Sequence, residues 1–126
     1  MCVFCEAISK HVHLVENSHS VAFSDAYPLS PGHVLIVPRR HVTDFFALSS
    51  EEQAAVWDLI RQVRDSIEGE YSPAGYNVGL NAGAVAGQTI DHAHVHVIPR
   101  YKGDVEDPRG GIRWVIPARA AYWDEL

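Results

Sequence analysis

The chain predicts an α+β fold, a mostly antiparallel sheet carrying one long helix, and three features of its 126 residues point there. One stretch, from about Ser49 to Tyr71, keeps a helical period over several turns. Short Val- and Ile-rich runs bounded by turn residues flank it, at 33–38 before and 75–100 after. The order of strands, one long helix and more strands is that of an α+β domain. At this length a real core can be buried without staples, so one domain over 1–126 is expected. Its core would span about 2–100, with an irregular C-terminal extension over 101–126.

Each element has its own local reason. "FCEAISKH" suits a short N-terminal turn of helix. "HLVENSHSVAFSD" reads as two short strands around the polar Glu16-Asn17-Ser18 turn. Pro28, Pro31 and Gly32 cluster in a loop. The run His33 to Pro38 is almost continuously apolar and ends at a proline, as a buried central strand does. Ser49 followed by Glu52 fits a capping box at the start of the long helix. Val56, Ile60, Val63 and Ile67 then recur at 4-3-4 spacing and form one apolar stripe. That helix should stop near Gly69–Tyr71, before Ser72-Pro73. Gly75 to Gly83 reads as another strand, joined by "NAGAVAGQ" to a last one that ends at Pro99. The tail shows no period apart from "IRWVIP" and is expected to lie irregularly over the surface.

Composition narrows the function. A formal net charge of −6 argues against a general nucleic-acid binder, whose affinity rests on neutralising phosphates. It leaves room for a small anionic ligand in a locally assembled site. No run approaches the roughly 18 apolar residues of a membrane span. The start, "MCVFCEAISKH", lacks the features of a signal peptide, and a cytoplasmic location is expected. The two cysteines, three residues apart, make no disulfide framework and point to metal or redox use.

The segment "QTIDHAHVHVIPR" carries the chemistry. His92, His94 and His96 alternate with Ala93, Val95 and Val97, a period-two pattern. On a strand the three imidazoles share one face and the apolar residues the other. Metal binding and catalysis are both open to such a face.

The pattern His92-Ala93-His94-Val95-His96-Val97-Ile98 resembles the signature of the histidine triad (HIT) family. The likeness extends over about residues 2–100: "VAFSD", "SPGHVLIVPRRH", the Asn81 segment and "AGQT" stand in the family's order and spacing. The resemblance implies a nucleotide hydrolase acting at the α-phosphate of a nucleoside phosphoramidate or dinucleoside polyphosphate. It implies a HIT-like fold, a two-fold homodimer with sheets joined across the interface, and a purine nucleotide of adenosine type as substrate.

Residue by residue, the resemblance makes His94 the nucleophile, forming a covalent nucleotidyl-histidine that water resolves. His96 would donate a hydrogen bond to phosphate or leaving group. Gly83 and Gly87 would shape a phosphate-cradling loop, with Asn81, Gln88 and Thr89 placing polar groups on the α-phosphate and leaving group. Asp25 matches the residue that accepts from the ribose hydroxyls. Phe4 and Phe23, with Val3 and Ala7, match the apolar cleft around the base. His33 matches a further histidine near the site, either orienting its neighbours or simply buried.

Cys2, Cys5, His41 and His92 match a structural zinc site of the family's bacterial-type branch. Two thiolates and two imidazoles suit tetrahedral zinc, and such a closed set leaves no position for a catalytic water, so no catalytic metal is required. Arg109, Arg113 and Trp114 lie in a tail without an assignable match; the arginines could bind the distal phosphates of a longer substrate, or be ordinary surface charges beside a dimer-packing Trp. Three alternatives stay open: a nucleotidyltransferase sharing the first half-reaction, a nucleotide-binding module with incidental turnover, and a catalytic zinc on the three triad histidines.

Overall fold

The computed structural model describes residues 2–126. Helix α1 (Val3–Ser9) leads into a hairpin of β1 (Val15–Glu16) and β2 (Ser20–Ser24). Asn17 closes that hairpin, since its Oδ1 accepts from the backbone N–H groups of His19 and Ser20. Strand β3 (Val34–Pro38), helix α2 (Ser50–Tyr71), strand β4 (Gly75–Gly79) and strand β5 (Val95–Arg100) complete the framework. The sheet is antiparallel throughout, in the order β1-β2-β3-β5-β4. The predicted α+β architecture is the observed one.

Both faces of the sheet are covered near its centre, which explains why β3 is apolar at every position. Val34 and Ile36 face α2, whose stripe of Val56, Leu59, Ile60, Val63 and Ile67 is buried against them. Leu35 and Val37 face the other way, onto Phe4 of α1 and Phe23 of β2. The same division sorts the histidine run. Ala93, Val95 and Val97 join the helix-side core, and the imidazoles between them lie on the α1 side, where His94 meets the ring of Phe4. Among the described residues no helix is long and apolar enough to cross a membrane.

Three boundaries differ from the sequence reading. The last strand begins at Val95, so His92 and His94 precede the ladder while keeping its alternation. Their backbone is committed elsewhere: Ala93 N–H donates to Val42 O, and the His92 carbonyl accepts from His94. Strand β4 correspondingly stops at Gly79, opposite His96. The tail is less irregular than expected, with helical turns at Gly111–Val115, Pro117–Ala120 (α3) and Tyr122–Glu125.

Candidate active site and metal centre

The alternation of the histidine run and the pairing of Leu35 with His96 put His94 and His96 side by side, ring centroids 5.3 Å apart. His94 is buried, and its Nδ1–H donates to the His92 carbonyl at 2.9 Å. That bond fixes the tautomer and leaves the lone pair on Nε2, the nitrogen available to the cavity that His94 lines. A neutral imidazole oriented this way can attack an electrophile.

His96 is oriented by a second chain of bonds. Leu29 N–H donates to Nδ1 of buried His33 at 3.0 Å, so the proton of neutral His33 must sit on Nε2. That Nε2–H donates to Nδ1 of His96, again at 3.0 Å, and His96 is left with its proton on Nε2. A backbone amide in the Pro-rich loop thus determines that His96 presents a donor. Burial pushes the pKa of both rings below the ordinary imidazole value, against the opposing pull of Asp25. Asp25 Oδ2 lies 3.5 Å from His33 Nε2 and 3.9 Å from His96 Nδ1.

These groups border a cavity of about 810 Å³. Phe4, Phe23, Asp25, Asn81, Gly87 and Thr89 all line it, as do His94 and His96. His33 stands behind His96 and does not reach the lining. Gln88 does not reach it either. Its amide holds the loop, accepting from Gly83 N–H and donating to the carbonyls of Thr43 and Ile90. The loop turns through positive φ at Gly83 (96°) and Gly87 (101°), a conformation costly for residues with a Cβ. The sequence reading missed His11, His13 and Tyr27, which also line the cavity. No local motif marks them; only the hairpin brings them there.

Cys2, Cys5, His41 and His92 form a second cluster, their ligand atoms all within 4.8 Å of one another. Sulfur to His92 Nδ1 is 3.6 Å for Cys2 and 3.5 Å for Cys5. Cys5 Sγ lies 3.2 Å from His41 Nδ1, and the two Nδ1 atoms are 3.2 Å apart. The edges of a zinc tetrahedron with ordinary bond lengths are about 3.5 Å for S···N and about 3.3 Å for N···N. His92 Nε2–H donates to the Pro38 carbonyl at 2.8 Å, so its Nδ1 lone pair points at the cluster. Burial, reinforced by Cys2, pushes the Cys5 thiol up, and burial pushes His92 down. The donor set fits a tetrahedral metal ion and could bind one.

The HIT domain family matches residues 7–103. The chain belongs to the HIT family. Its relatives include the adenosine 5′-monophosphoramidase of Schizosaccharomyces pombe, 37% identical over 102 residues that cover 79% of this chain and 74% of the other. A bis(5′-nucleosyl)-tetraphosphatase of the same yeast is 40% identical over 88 residues, covering 70% of this chain and 48% of that enzyme. Among solved structures, a zinc-bound histidine triad family protein from Mycobacterium smegmatis superimposes with a TM-score of 0.75 at 27% identity, covering 98% and 96% of the two chains.

The HIT tail does not bring its arginines to the cavity. Arg109 donates to Asp107 and stacks over the Trp123 ring at 4.6 Å. Arg113 donates to the carbonyls of Ala120 and Arg119 and lies over Tyr122. Trp114 Nε1–H donates to the Arg109 carbonyl. These residues tie the tail to itself.

Proposed function

We propose that this HIT protein is a nucleotide hydrolase that acts at the α-phosphate through a covalent nucleotidyl-His94 and releases a nucleoside monophosphate. The observation that carries the reading is the bond from His94 Nδ1–H to the His92 carbonyl, which leaves Nε2 as the free nucleophilic nitrogen. In the first half-reaction Nε2 attacks phosphorus and the bond to the leaving group breaks. The departing atom keeps the bonding pair and takes a proton through His96 Nε2, which solvent replaces. The ring of nucleotidyl-His94 is then cationic, and its Nδ1–H bond to the carbonyl strengthens accordingly. Water cleaves the P–N bond in the second half-reaction and returns one proton, restoring neutral His94.

Asp25 would accept from the ribose hydroxyls, Phe4 and Phe23 would enclose a purine of adenosine type, and Asn81, Thr89 and the Gly87 backbone would bind phosphate. Gln88 and His33 act through others, Gln88 by bracing the loop and His33 by orienting His96. Cys2, Cys5, His41 and His92 would hold zinc, which when bound clamps α1 to the histidine run and takes no part in the reaction. For the expected homodimer, β4 offers the free edge of the sheet with five residues, against two in β1.

The test is AMP release from adenosine phosphoramidate and from diadenosine tetraphosphate, with His94→Ala in parallel. Loss of at least a thousandfold in the variant is expected. Intact-mass detection of a nucleotidyl adduct on wild type, absent from the variant, would support the covalent step. A variant as fast as wild type would rule out His94 as nucleophile.

A further inference from the structure

The donor at His96 Nε2 depends on the direction of a short hydrogen-bond chain. Leu29 N–H meets His33 Nδ1, and His33 Nε2 meets His96 Nδ1, each at 3.0 Å. The second link carries one proton, and either imidazole could own it. If His96 owned it, His33 Nε2 would accept, and His96 Nε2 would offer a lone pair instead of a donor. Asp25 does not choose between the two directions, since its Oδ2 faces both nitrogens, at 3.5 and 3.9 Å. The Leu29 amide does choose. While it donates to His33 Nδ1, a neutral His33 must keep its proton on Nε2. What His96 presents is therefore set by how firmly one loop amide is held.

The backbone bonds that close the loop on itself, Asp25 N–H to the His33 carbonyl and His33 N–H to the Ser30 carbonyl, are both 3.2 Å, the long limit for N–H···O. Two hydroxyls make shorter bonds between the loop and the rest of the domain. Ser30 Oγ–H donates to the Pro99 carbonyl at 2.6 Å, and Tyr101 O–H to the Pro31 carbonyl at 2.7 Å. Pro99 can accept because the pairing of β3 with β5 stops at Val34 and Val97, which leaves the end of β5 open on that side. Its neighbour Arg100 turns its carbonyl the other way, to Ala74 N–H. Gly32 seats the loop: at φ 86° it lies so close that a Cβ would stand 3.0 Å from the Tyr71 ring and 3.3 Å from Pro99. The circuit is closed, because β5 carries both His96 and the carbonyl that holds Ser30 beside Leu29.

We propose that Ser30 and Tyr101 are positioning residues for His96: their hydroxyls pin the Leu29 amide against His33 and so fix the direction of the chain. Neither lines the cavity that holds His94, and both act through Leu29, His33 and His96 in turn. With a hydroxyl removed, the amide can turn to water and the chain can reverse. His33 then takes a proton from water on Nδ1, its Nε2 proton passes to His96 Nδ1, and His96 returns its Nε2 proton to water. Use of the His96 donor on a leaving group rests on the nucleotide-hydrolase reading above; the direction of the chain does not.

The experiment reads both the tautomer and the rate. Imidazole nitrogen spectra of the labelled full chain report which ring nitrogen of His33 and His96 bears the proton, and AMP release from adenosine phosphoramidate gives kcat and KM. In wild type both rings are expected to be protonated on Nε2 alone. Ser30→Ala and Tyr101→Phe should each shift part of the His96 population to Nδ1–H and lower kcat by about three- to tenfold, with KM within about twofold. Ser30→Thr, which keeps the hydroxyl, should restore both readouts. Where His33→Ala has already cut the chain, adding Ser30→Ala should lower kcat by less than about twofold more. A His96 tautomer unchanged in both Ser30→Ala and Tyr101→Phe overturns the proposal. So does a double variant in which the two losses multiply, since Ser30 would then act by another route. No AMP from any of these proteins overturns the hydrolase reading, and the tautomer spectra then decide the positioning on their own.

Discussion

His33 has one ring nitrogen committed to a backbone amide and the other to His96, and this fixes what its removal does. In His33→Ala, His96 can carry its proton on either nitrogen, and the donor that the proposed mechanism needs from it is lost part of the time. The expected result is a kcat lower by about tenfold to a hundredfold with KM changed little, because substrate contacts are untouched. His33→Gln, whose amide can donate to His96 Nδ1, should recover part of the loss. A purely structural His33 would instead give equal defects in both variants. The depressed pKa values of His33 and His96 also set a pH dependence of stability. The unfolded chain takes up their protons near the ordinary value of about 6.5, the folded one only lower. Between those values the unfolded state binds more protons, so stability falls as pH drops below about 6.5 and is unaffected by these groups above it. Urea midpoints at about pH 7.5 and about pH 5.5 should differ in that direction, and imidazole proton titration should place both rings below 6.5.

At the level of elements, α2 supports the sheet that aligns the site, and its first turn can be tested separately from its stripe. Ser49 Oγ accepts from Glu52 N–H while Glu52 Oε1 accepts from Ser49 N–H, the full capping box expected from the sequence. Ser49→Ala should cost about 1 kcal/mol in chemical denaturation. Glu52 is held down to about 2, mainly by its hydrogen bonds from Arg40 and then by Ser49 N–H. Its contribution is present above the unfolded carboxylate value and lost as pH falls toward 2, so Glu52→Gln should flatten that acid limb. Leu59, fully buried against the sheet, should cost about 2–5 kcal/mol as Leu59→Ala. The helix was legible because cap, stripe and stop are local signals. β3 was legible because burial on both faces leaves no polar position. The start of β5 and the end of β4 were not, since there backbone groups serve the site: the His92 carbonyl is held by a side chain rather than by a neighbouring strand. The tail's turns went unread because its order comes from pairings such as Arg113 over Tyr122, which leave no period.

For the whole molecule, the cluster of Cys2, Cys5, His41 and His92 gathers residues 90 positions apart in sequence, and its effect should be global. Sequence spacing could nominate the two cysteines, but only the fold places His92 Nδ1, rather than Nε2, among them, through the bond from Nε2–H to Pro38. A tetrahedral ion there would bind the folded state and have no comparable site in the unfolded chain. Stabilisation by such linkage is about 4 kcal/mol when free metal stands a thousandfold above its dissociation constant. For a domain of this size that amounts to roughly 10 °C or more in Tm. Purified protein is therefore expected to carry one zinc per chain, and a strong chelator or Cys5→Ser should lower Tm by that order. AMP release assayed below the new Tm should persist within about threefold, because protein ligands would fill all four positions of the ion and, in the proposed mechanism, His94 reacts through its own lone pair. Chelation that abolished turnover at unchanged Tm would contradict this division of labour and place a metal in the reaction itself. The same experiment separates the two roles within the histidine run: His92→Ala should reproduce the loss of Tm, whereas His94→Ala should retain metal and stability while losing turnover.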